Sequence, residues 1–411
     1  VISDRLHWDK PHCSYPSKTK ERGDDDNDFI FENIVRILWW NIQYGETAKA
    51  IHRQSVGCNP LTENLRILAK ASHQDSPDIL VLAEWEYQSF IVGDDEREND
   101  LISLLEESYP YHNFWPYNPE TPERGIMIYS KLSYDINNTI LLDYYPLLLD
   151  KDERDQQQQQ QEKIEAYKNW WKQDFPPERF FPRTYINLKI NFPSSAPSAK
   201  PNECVDDTKT KTSSFHLVPF HALQHVEKEF RNVGNNPLMR LWIKLKFVFG
   251  RDNPLVHQLQ RLKISMENDF NCFSSSNDDA SINRKNEKCS GDGVASTIDP
   301  VLLVGDFNLV HKIGPFTTYP YSILSKDLLD VFEPTSGGPG TRESTWPMPS
   351  DPEFGTSTLS YQFDHAFVTS YKTKSPTPSA KCCCDQAFVL PLKGSDHASI
   401  VIDLREPQQN G

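Results

Sequence analysis

The chain has 411 residues, 37% hydrophobic and 25% charged, with 58 acidic against 43 basic side chains and a formal charge of -15. That length allows one large domain or two ordinary ones. The acidity argues against a protein that holds nucleic acid mainly by neutralising phosphates, but not against a metal site, which carries its own local positive charge.

The chain starts at Val1 without an initiator methionine, so a processed or trimmed form is expected and targeting is not legible at this end. Residues 1–33 are rich in Pro, Ser, Lys and Asp, include the acidic run Asp24–Asp28, and are expected to form a flexible arm. Ordered structure is expected to begin at Ile34-Val35-Arg36-Ile37-Leu38-Trp39-Trp40, an apolar run of strand character. Thr62–Ser72 has helical spacing, with Leu61, Leu65, Leu68 and Ala69 on one face. A buried strand is expected at Ile79–Leu82, a helix at Leu101–Tyr109 and a strand at Gly125–Ser130. Strand, helix, strand, helix, strand predicts a layered α/β architecture. Further strands are expected at Tyr185–Ile190, Phe215–Phe220, Val301–Val304, Phe363–Val368 and Ile400–Leu404.

Three segments look inserted into this framework: one near 150–174 with the glutamine run Gln156–Gln161, one near 193–214, and one at 222–298. Segments that carry chemistry lie before and after all three, so residues 34–405 are read as a single domain. No stretch approaches about eighteen consecutive apolar residues, and no transmembrane segment is expected. The eight cysteines match no zinc spacing and are expected to be mostly free thiols, with one or two disulfides if the chain is secreted.

The strongest local motif is Val301-Leu302-Leu303-Val304-Gly305-Asp306-Phe307-Asn308. Four apolar residues make a buried strand, Gly305 is expected to let the backbone turn tightly, and an extended continuation would point Asp306 and Asn308 the same way. A carboxylate and an amide at a strand end can bind metal, polarise water and hydrogen-bond a phosphoryl oxygen; the plain alternative is an Asx-turn that ends the strand. Gly394-Ser395-Asp396-His397 precedes the apolar run Ile400-Val401-Ile402 and sets a ligating carboxylate beside an imidazole. In Tyr361–Val368, Asp364 lies within an apolar strand and needs a partner such as an imidazole N–H, while His365 is read as a packing histidine. Asn41 ends the first strand and Glu84 ends the Ile79–Leu82 run, with Glu86 as a competitor and Asp78 as a turn or cap residue. Groups at strand ends can converge on one oxygen-rich metal site.

Taken in order, an Asn after the first strand, a Glu after an apolar strand, Gly-Asp-Phe-Asn, a late strand Asp and a final Ser-Asp-His resemble the endonuclease/exonuclease/phosphatase superfamily. The resemblance runs from about Val35 to Leu404. It implies the deoxyribonuclease-I-like fold, a four-layer α/β/β/α sandwich of two packed mixed sheets, and a metal-dependent phosphoesterase. On it, Glu84, Asn41 and Asp396 would hold the metal, with Mg²⁺ expected and Mn²⁺ or Ca²⁺ as alternatives. Asp306 would orient or deprotonate the attacking water, Asn308 would donate to the phosphoryl group, His397 would contact the phosphate and Asp364 would orient His397. The family's His or Tyr near the scissile phosphate falls on His221, with His216 as the alternative. Ala83 stands where the family often has Gln before its metal-binding Glu.

The substrate is expected to be a phosphate ester, whether nucleic acid, lipid headgroup or small metabolite. A catalytically silent member that binds partners is the competing reading, disfavoured because every expected polar position holds a suitable residue. No GxxxxGK loop and no GxSxG elbow is present, which removes the P-loop ATPase and serine hydrolase readings. The basic apolar segment 237–251 puts Leu238, Leu241, Trp242, Leu245, Val248 and Phe249 on one helix face. It is read as packed on the core with a solvated basic side, with peripheral membrane contact as the alternative. Together with a second helix at Pro254–Asn268 it is expected to form a cap beside the site.

Overall fold

The computed structural model describes residues 34–43, 60–70, 76–86, 96–119, 121–144, 162, 165, 182–193, 213–223, 245, 249–251, 253–270, 299–313, 316–332, 345, 362–369, 384–390, 392 and 395–406. The expected arm at 1–33, most of the three expected insertions and most of the segment 237–251 lie outside the described residues.

In chain order the elements are β1 (Ile34–Asn41), α1 (Pro60–Lys70), β2 (Ile79–Glu86), α2 (Glu96–Ser108), β3 (Tyr111–Pro116), β4 (Arg124–Ser130), β5 (Tyr134–Leu142), β6 (Arg183–Asn191) and β7 (Ser214–His221). There follow α3 (Pro254–Phe270), β8 (Val301–Asp306), β9 (Lys312–Ile313), β10 (Phe316–Thr317), α4 (Tyr319–Ser325), β11 (Leu328–Asp330), β12 (Asp364–Thr369), β13 (Cys384–Leu390) and β14 (Ser399–Arg405). Two six-stranded sheets result, ordered β13-β14-β1-β2-β4-β3 and β11-β12-β8-β7-β6-β5, besides the small β9–β10 hairpin. Each six-stranded sheet is mixed. The parallel pairs are β1–β2 and β7–β8, and the other pairings are antiparallel.

Strand alternation explains the layers. Val35, Ile37, Trp39, Ile79, Val81, Ile186, Leu188, Leu217, Leu302, Val304, Ala366 and Ile400 form one buried cluster, filled from both sheets. Leu38, Trp40, Leu80 and Leu82 project from the first sheet's other face onto Leu61, Leu65 and Leu68 of α1 and Leu101 and Leu105 of α2. Val218, Phe220, Val301, Leu303 and Phe367 project from the second sheet onto Leu255, Leu259, Leu262 and Met266 of α3 and Tyr321 and Leu324 of α4. Burying each such side chain contributes roughly 1.5–3 kcal/mol. The architecture is therefore the four-layer α/β/β/α sandwich of two mixed sheets expected from the sequence.

Three expectations change. Helix α3 is not a cap: it is the outer layer on the second sheet, and its Gln258 Oε1 accepts the N–H of Leu223 just past β7 (2.9 Å). Leu245 and Phe249, expected to pack on the core, are 45% and 39% exposed. Gly305 does not turn the chain. It lies within β8 because a Cβ there would stand 1.8 Å from the Phe220 carbonyl oxygen of β7. No helix among the described residues is long and apolar enough to cross a membrane.

Candidate active site

The topology brings the polar motifs to one end of the sandwich. Parallel strands β1 and β2 end at Asn41 and Glu84–Glu86, and parallel strands β7 and β8 end at His221 and Asp306. The antiparallel neighbours β12 and β14 begin where those strands end, which sets Asp364 opposite Asp306 and places Ser395–His397 just ahead of β14. Parity then aims the side chains. Asn41, His221, Asp306 and Asp364 continue the inward-facing series of their strands, so each caps the apolar core between the sheets.

Glu84 is the exception to simple alternation. Val81 and Ala83 face inward and Leu82 and Trp85 outward, so Glu84 is an extra residue, and the pairing with β4 shifts between Leu82 and Trp85. Its φ is 52°, the left-handed region, and the bulge re-aims its carboxylate. Its N–H donates to the Tyr117 hydroxyl (2.5 Å). Asn308 also has positive φ, 49°, and its N–H donates to Asp306 Oδ1 (2.9 Å). Asp306 and Asn308 are thus not an extended pair. They form an Asx-turn, and the Asn308 amide reaches the Ala222 carbonyl at the end of β7 (3.4 Å).

At the centre of the group is Asp306 Oδ2, which accepts a hydrogen bond from Asn41 Nδ2 (2.9 Å) and lies 3.7 Å from His221 Nε2 and 3.8 Å from His397 Nε2. Glu84 Oε1 lies 3.4 Å from the same Asn41 nitrogen and 3.1 Å from His221 Nε2. His397 Nδ1 is 2.8 Å from Asp364 Oδ2, and the other Asp364 oxygen accepts the Trp39 indole N–H (2.9 Å). Asp396 reaches the group through His397, its Oδ1 4.0 Å from Nε2. The His221 alternative is the one placed here. His216 lies towards the other end of β7, with Nδ1 2.9 Å from Asn187 Oδ1 and its ring edge-on to Phe270.

The remaining candidates separate in the same way. Glu86 pairs with Arg124 (3.0 Å), and Asp78 accepts the Arg36 N–H (2.8 Å) at the opposite end of β1 and β2. His365 is fully buried among Phe307, Tyr321 and Phe367, its Nδ1 3.6 Å from Asp330.

Burial alone would raise the pKa of Glu84 and Asp306, but the adjoining His221 and His397 outweigh it, with the Asn308 N–H adding to the effect on Asp306, and both carboxyls are held below their ordinary value. Burial alone would lower His221 and His397. Asp306 and Glu84 raise His221 instead, and Asp364 with Asp396 holds His397 well above 6.5. The surroundings therefore favour the ionised form of the Glu84 and Asp306 carboxyls and the protonated form of the His221 and His397 imidazoles.

Asp306, Asp364 and His397 place possible metal-binding atoms within 4.8 Å of one another. Both Asp364 oxygens are already committed to Trp39 and His397, however, so that residue serves His397 rather than an ion. The oxygens left facing inward belong to Glu84 and Asp306. His221 Nε2, fully enclosed between them, completes a hydrogen bond to neither. Hard oxygen donors around incompletely satisfied buried charge fit a hard divalent cation.

Several supporting residues had no signal in the sequence. Tyr117 stacks on His221 at 4.9 Å. The Thr345 hydroxyl accepts the N–H groups of Phe363 (3.0 Å) and Asp364 (3.1 Å), while its carbonyl accepts that of Ala398 (2.9 Å). Ser395, within a motif but given no role, donates to the Asn41 carbonyl (2.6 Å) and accepts the His397 N–H (3.1 Å). The Ser395–Asn41 contact joins residues 354 apart and the Thr345 hydroxyl bonds reach 18 and 19 positions along the chain, distances that local patterning does not encode.

No family model matches the chain, and no curated protein matches it. Among solved structures, it is similar to an endonuclease/exonuclease/phosphatase family protein of Bacteroides thetaiotaomicron, with 12% identity, TM-score 0.47, and coverage of 92% of this chain and 100% of that one. It is also similar to a mannosyl-6-phosphatase of that organism, with 12% identity, TM-score 0.43, and 90% and 98% coverage. A third is the human Nocturnin catalytic domain with bound sulfate, with 13% identity, TM-score 0.41, and 91% and 94% coverage. At these scores the architecture rests on the chain's own sheet order, and the site on its own distances.

Proposed function

We propose that the chain is a divalent-metal-dependent phosphoesterase of the endonuclease/exonuclease/phosphatase type, hydrolysing a phosphodiester or phosphomonoester by in-line attack of water. The observation that carries this reading is the meeting of Asn41, Glu84, His221, Asp306, Asp364 and His397 at one end of the inter-sheet core, linked by contacts of 2.8–3.8 Å. Phosphoryl transfer needs a positioned nucleophile and neutralisation of charge growing on the equatorial oxygens.

The chain's residues divide those tasks. Asp306 stays ionised because of its cationic neighbours, is fixed by Asn41 and the Asn308 N–H, and positions the attacking water. His397, held cationic and oriented by Asp364, offers Nε2 to the phosphoryl oxygens. His221, whose protonated form Asp306 and Glu84 favour, stands beside Glu84, and Asn308 would donate to the phosphoryl group. Glu84, Asn41 and Asp396 would hold the cation, Asn41 by turning its amide oxygen inward from the Gln43 N–H (3.0 Å) and with Asp306 Oδ2 alongside. Mg²⁺ is the best match to carboxylate and amide oxygens, with Mn²⁺ or Ca²⁺ as alternatives. When bound, such an ion polarises the phosphoryl group and acidifies a coordinated water.

The test is turnover of bis-p-nitrophenyl phosphate with Mg²⁺, expected to vanish on adding EDTA and return with excess Mg²⁺. Glu84→Ala and Asp306→Ala are each expected to lower kcat by about 10²- to 10⁴-fold while circular dichroism stays that of the parent. Parental turnover in both variants would exclude catalysis at this site.

A further inference from the structure

We infer that Arg183 binds a second phosphate of the substrate, next to the scissile one, so that the site selects closely spaced phosphates; this rests on the phosphoesterase reading. Arg183 opens β6, which runs antiparallel to β7, so it stands at the end of the second sheet where His221 stands. It is 8% exposed, and its Nε is buried without a hydrogen-bond partner. Other arginines contrast with it: Arg36 pairs with Asp403, Arg124 with Glu86 and Arg405 with Asp385. Among the described residues no carboxylate takes that part for Arg183.

What holds Arg183 is the ring of Tyr117, with the guanidinium carbon 4.7 Å from the ring centroid. That same ring stacks on His221 at 4.9 Å, and its hydroxyl accepts the Glu84 N–H. The guanidinium is thus fixed against the side chain that also braces two residues of the site, and its charge bears on His221. A cation–π contact offsets part of the cost of burying a charge but leaves the Nε–H of the fork without an acceptor. Packing alone would favour an apolar residue, because the strand neighbour across from it is Leu142.

A planar fork of donors matches a phosphate better than any other common anionic partner except a carboxylate. The neighbouring carboxylates of Glu84 and Asp306 repel anions, so a second phosphate needs its own cation. Such a pair of phosphates occurs both in a nucleic-acid backbone and in a bisphosphorylated headgroup or metabolite.

The experiment uses the full chain with Mg²⁺ in excess. Values of kcat/KM are compared for a thymidine dinucleotide with and without a 5′-phosphate, and for an inositol bisphosphate against the matching monophosphate. Calorimetry with inorganic pyrophosphate and orthophosphate gives a readout independent of turnover. The parent is expected to prefer the second phosphate in at least one pair, and Arg183→Gln to reduce that preference by about 10- to 100-fold, the effect of losing charge-assisted hydrogen bonds. Arg183→Lys, which keeps the charge without the fork, should retain part of it, and carries the comparison if the Gln variant does not fold.

A change confined to the dinucleotide pair identifies a backbone phosphate, and one confined to the inositol pair a small substrate. An unchanged ratio with unchanged pyrophosphate affinity, or an equal fall for both members of each pair, overturns the inference. Turnover by the parent without a shift in ratio defeats this inference alone. Absence of turnover on every substrate defeats the phosphoesterase reading, and Arg183-dependent pyrophosphate binding then stands by itself.

Discussion

Asp364 shows how one residue is fixed for a task. Its two oxygens meet the Trp39 indole N–H (2.9 Å) and His397 Nδ1 (2.8 Å), and its N–H meets the Thr345 hydroxyl (3.1 Å). Trp39→Phe keeps an aromatic ring, though a smaller one, and leaves a buried carboxylate oxygen without a donor. It should cost about 1–3 kcal/mol of stability, read as a lower urea midpoint, and lower kcat by loosening His397. Gly305→Ala should be more severe, because a Cβ 1.8 Å from the Phe220 carbonyl forces β7 and β8 apart. A loss above about 3 kcal/mol is expected, and a urea midpoint within error of the parent would show that the strands can yield. The sequence made Asp306 and Asn41 legible because each is a polar residue ending an apolar series, and Asp364 because it is a carboxylate joined to one. It hid the bulge at Glu84 and the true constraint on Gly305, since both depend on the neighbouring strand rather than on local spacing.

At the scale of elements, the longer strands that escaped sequence reading are those with little to bury, while β11 is mostly buried but only three residues long. Strand β5 is largely exposed along its length, with Ile136 and Leu141 open to solvent, and β3 and β13 are edge strands with broken patterns. Without two covered faces there is no apolar run to detect. Helix α3 was legible by its period but not by its place, where polar contacts at its end add to the apolar packing on the second sheet. Asp269 accepts from Tyr185 (2.6 Å), Asn187 (2.9 Å) and Asn138 (2.8 Å), and Asn187 in turn meets His216. Asp269→Ala would strand several buried donors, and a loss of about 2–4 kcal/mol is expected in urea unfolding. His216 adds a pH dependence. Burial lowers its pKa below 6.5 against the pull of Asp299 and Asp269, with Lys189 acting in the same direction as burial. The unfolded chain therefore takes up a proton near pH 6.5 that the folded chain refuses, so this contribution is complete above that pH and is lost as pH falls below it. The urea midpoint should decline from pH 7.5 to 5.5 more steeply in the parent than in His216→Gln, and equal slopes would assign the decline to other groups.

At the scale of the molecule, the site lies across the seam between the two sheets. Asn41, Glu84 and His397 come from the first sheet and its loops, and His221, Asp306 and Asp364 from the second. Closing the sandwich forces these charges together in a buried volume, where each carboxylate depends on an imidazolium or an amide for compensation. A cation that enters this seam binds the closed sandwich and has no comparable site in the unfolded chain, so it should stabilise the whole fold. At a free concentration one hundred times Kd the gain is about 2.7 kcal/mol, read as a rise in Tm with added Mg²⁺. Glu84→Gln, which keeps the shape and removes one negative donor, should abolish most of that rise. Arg36→Gln, which breaks the Asp403 pair on β14 away from the candidate ligands, should lower Tm yet keep the Mg²⁺ increment. An increment equal in the parent and in Glu84→Gln would place the cation elsewhere and detach the metal from the seam.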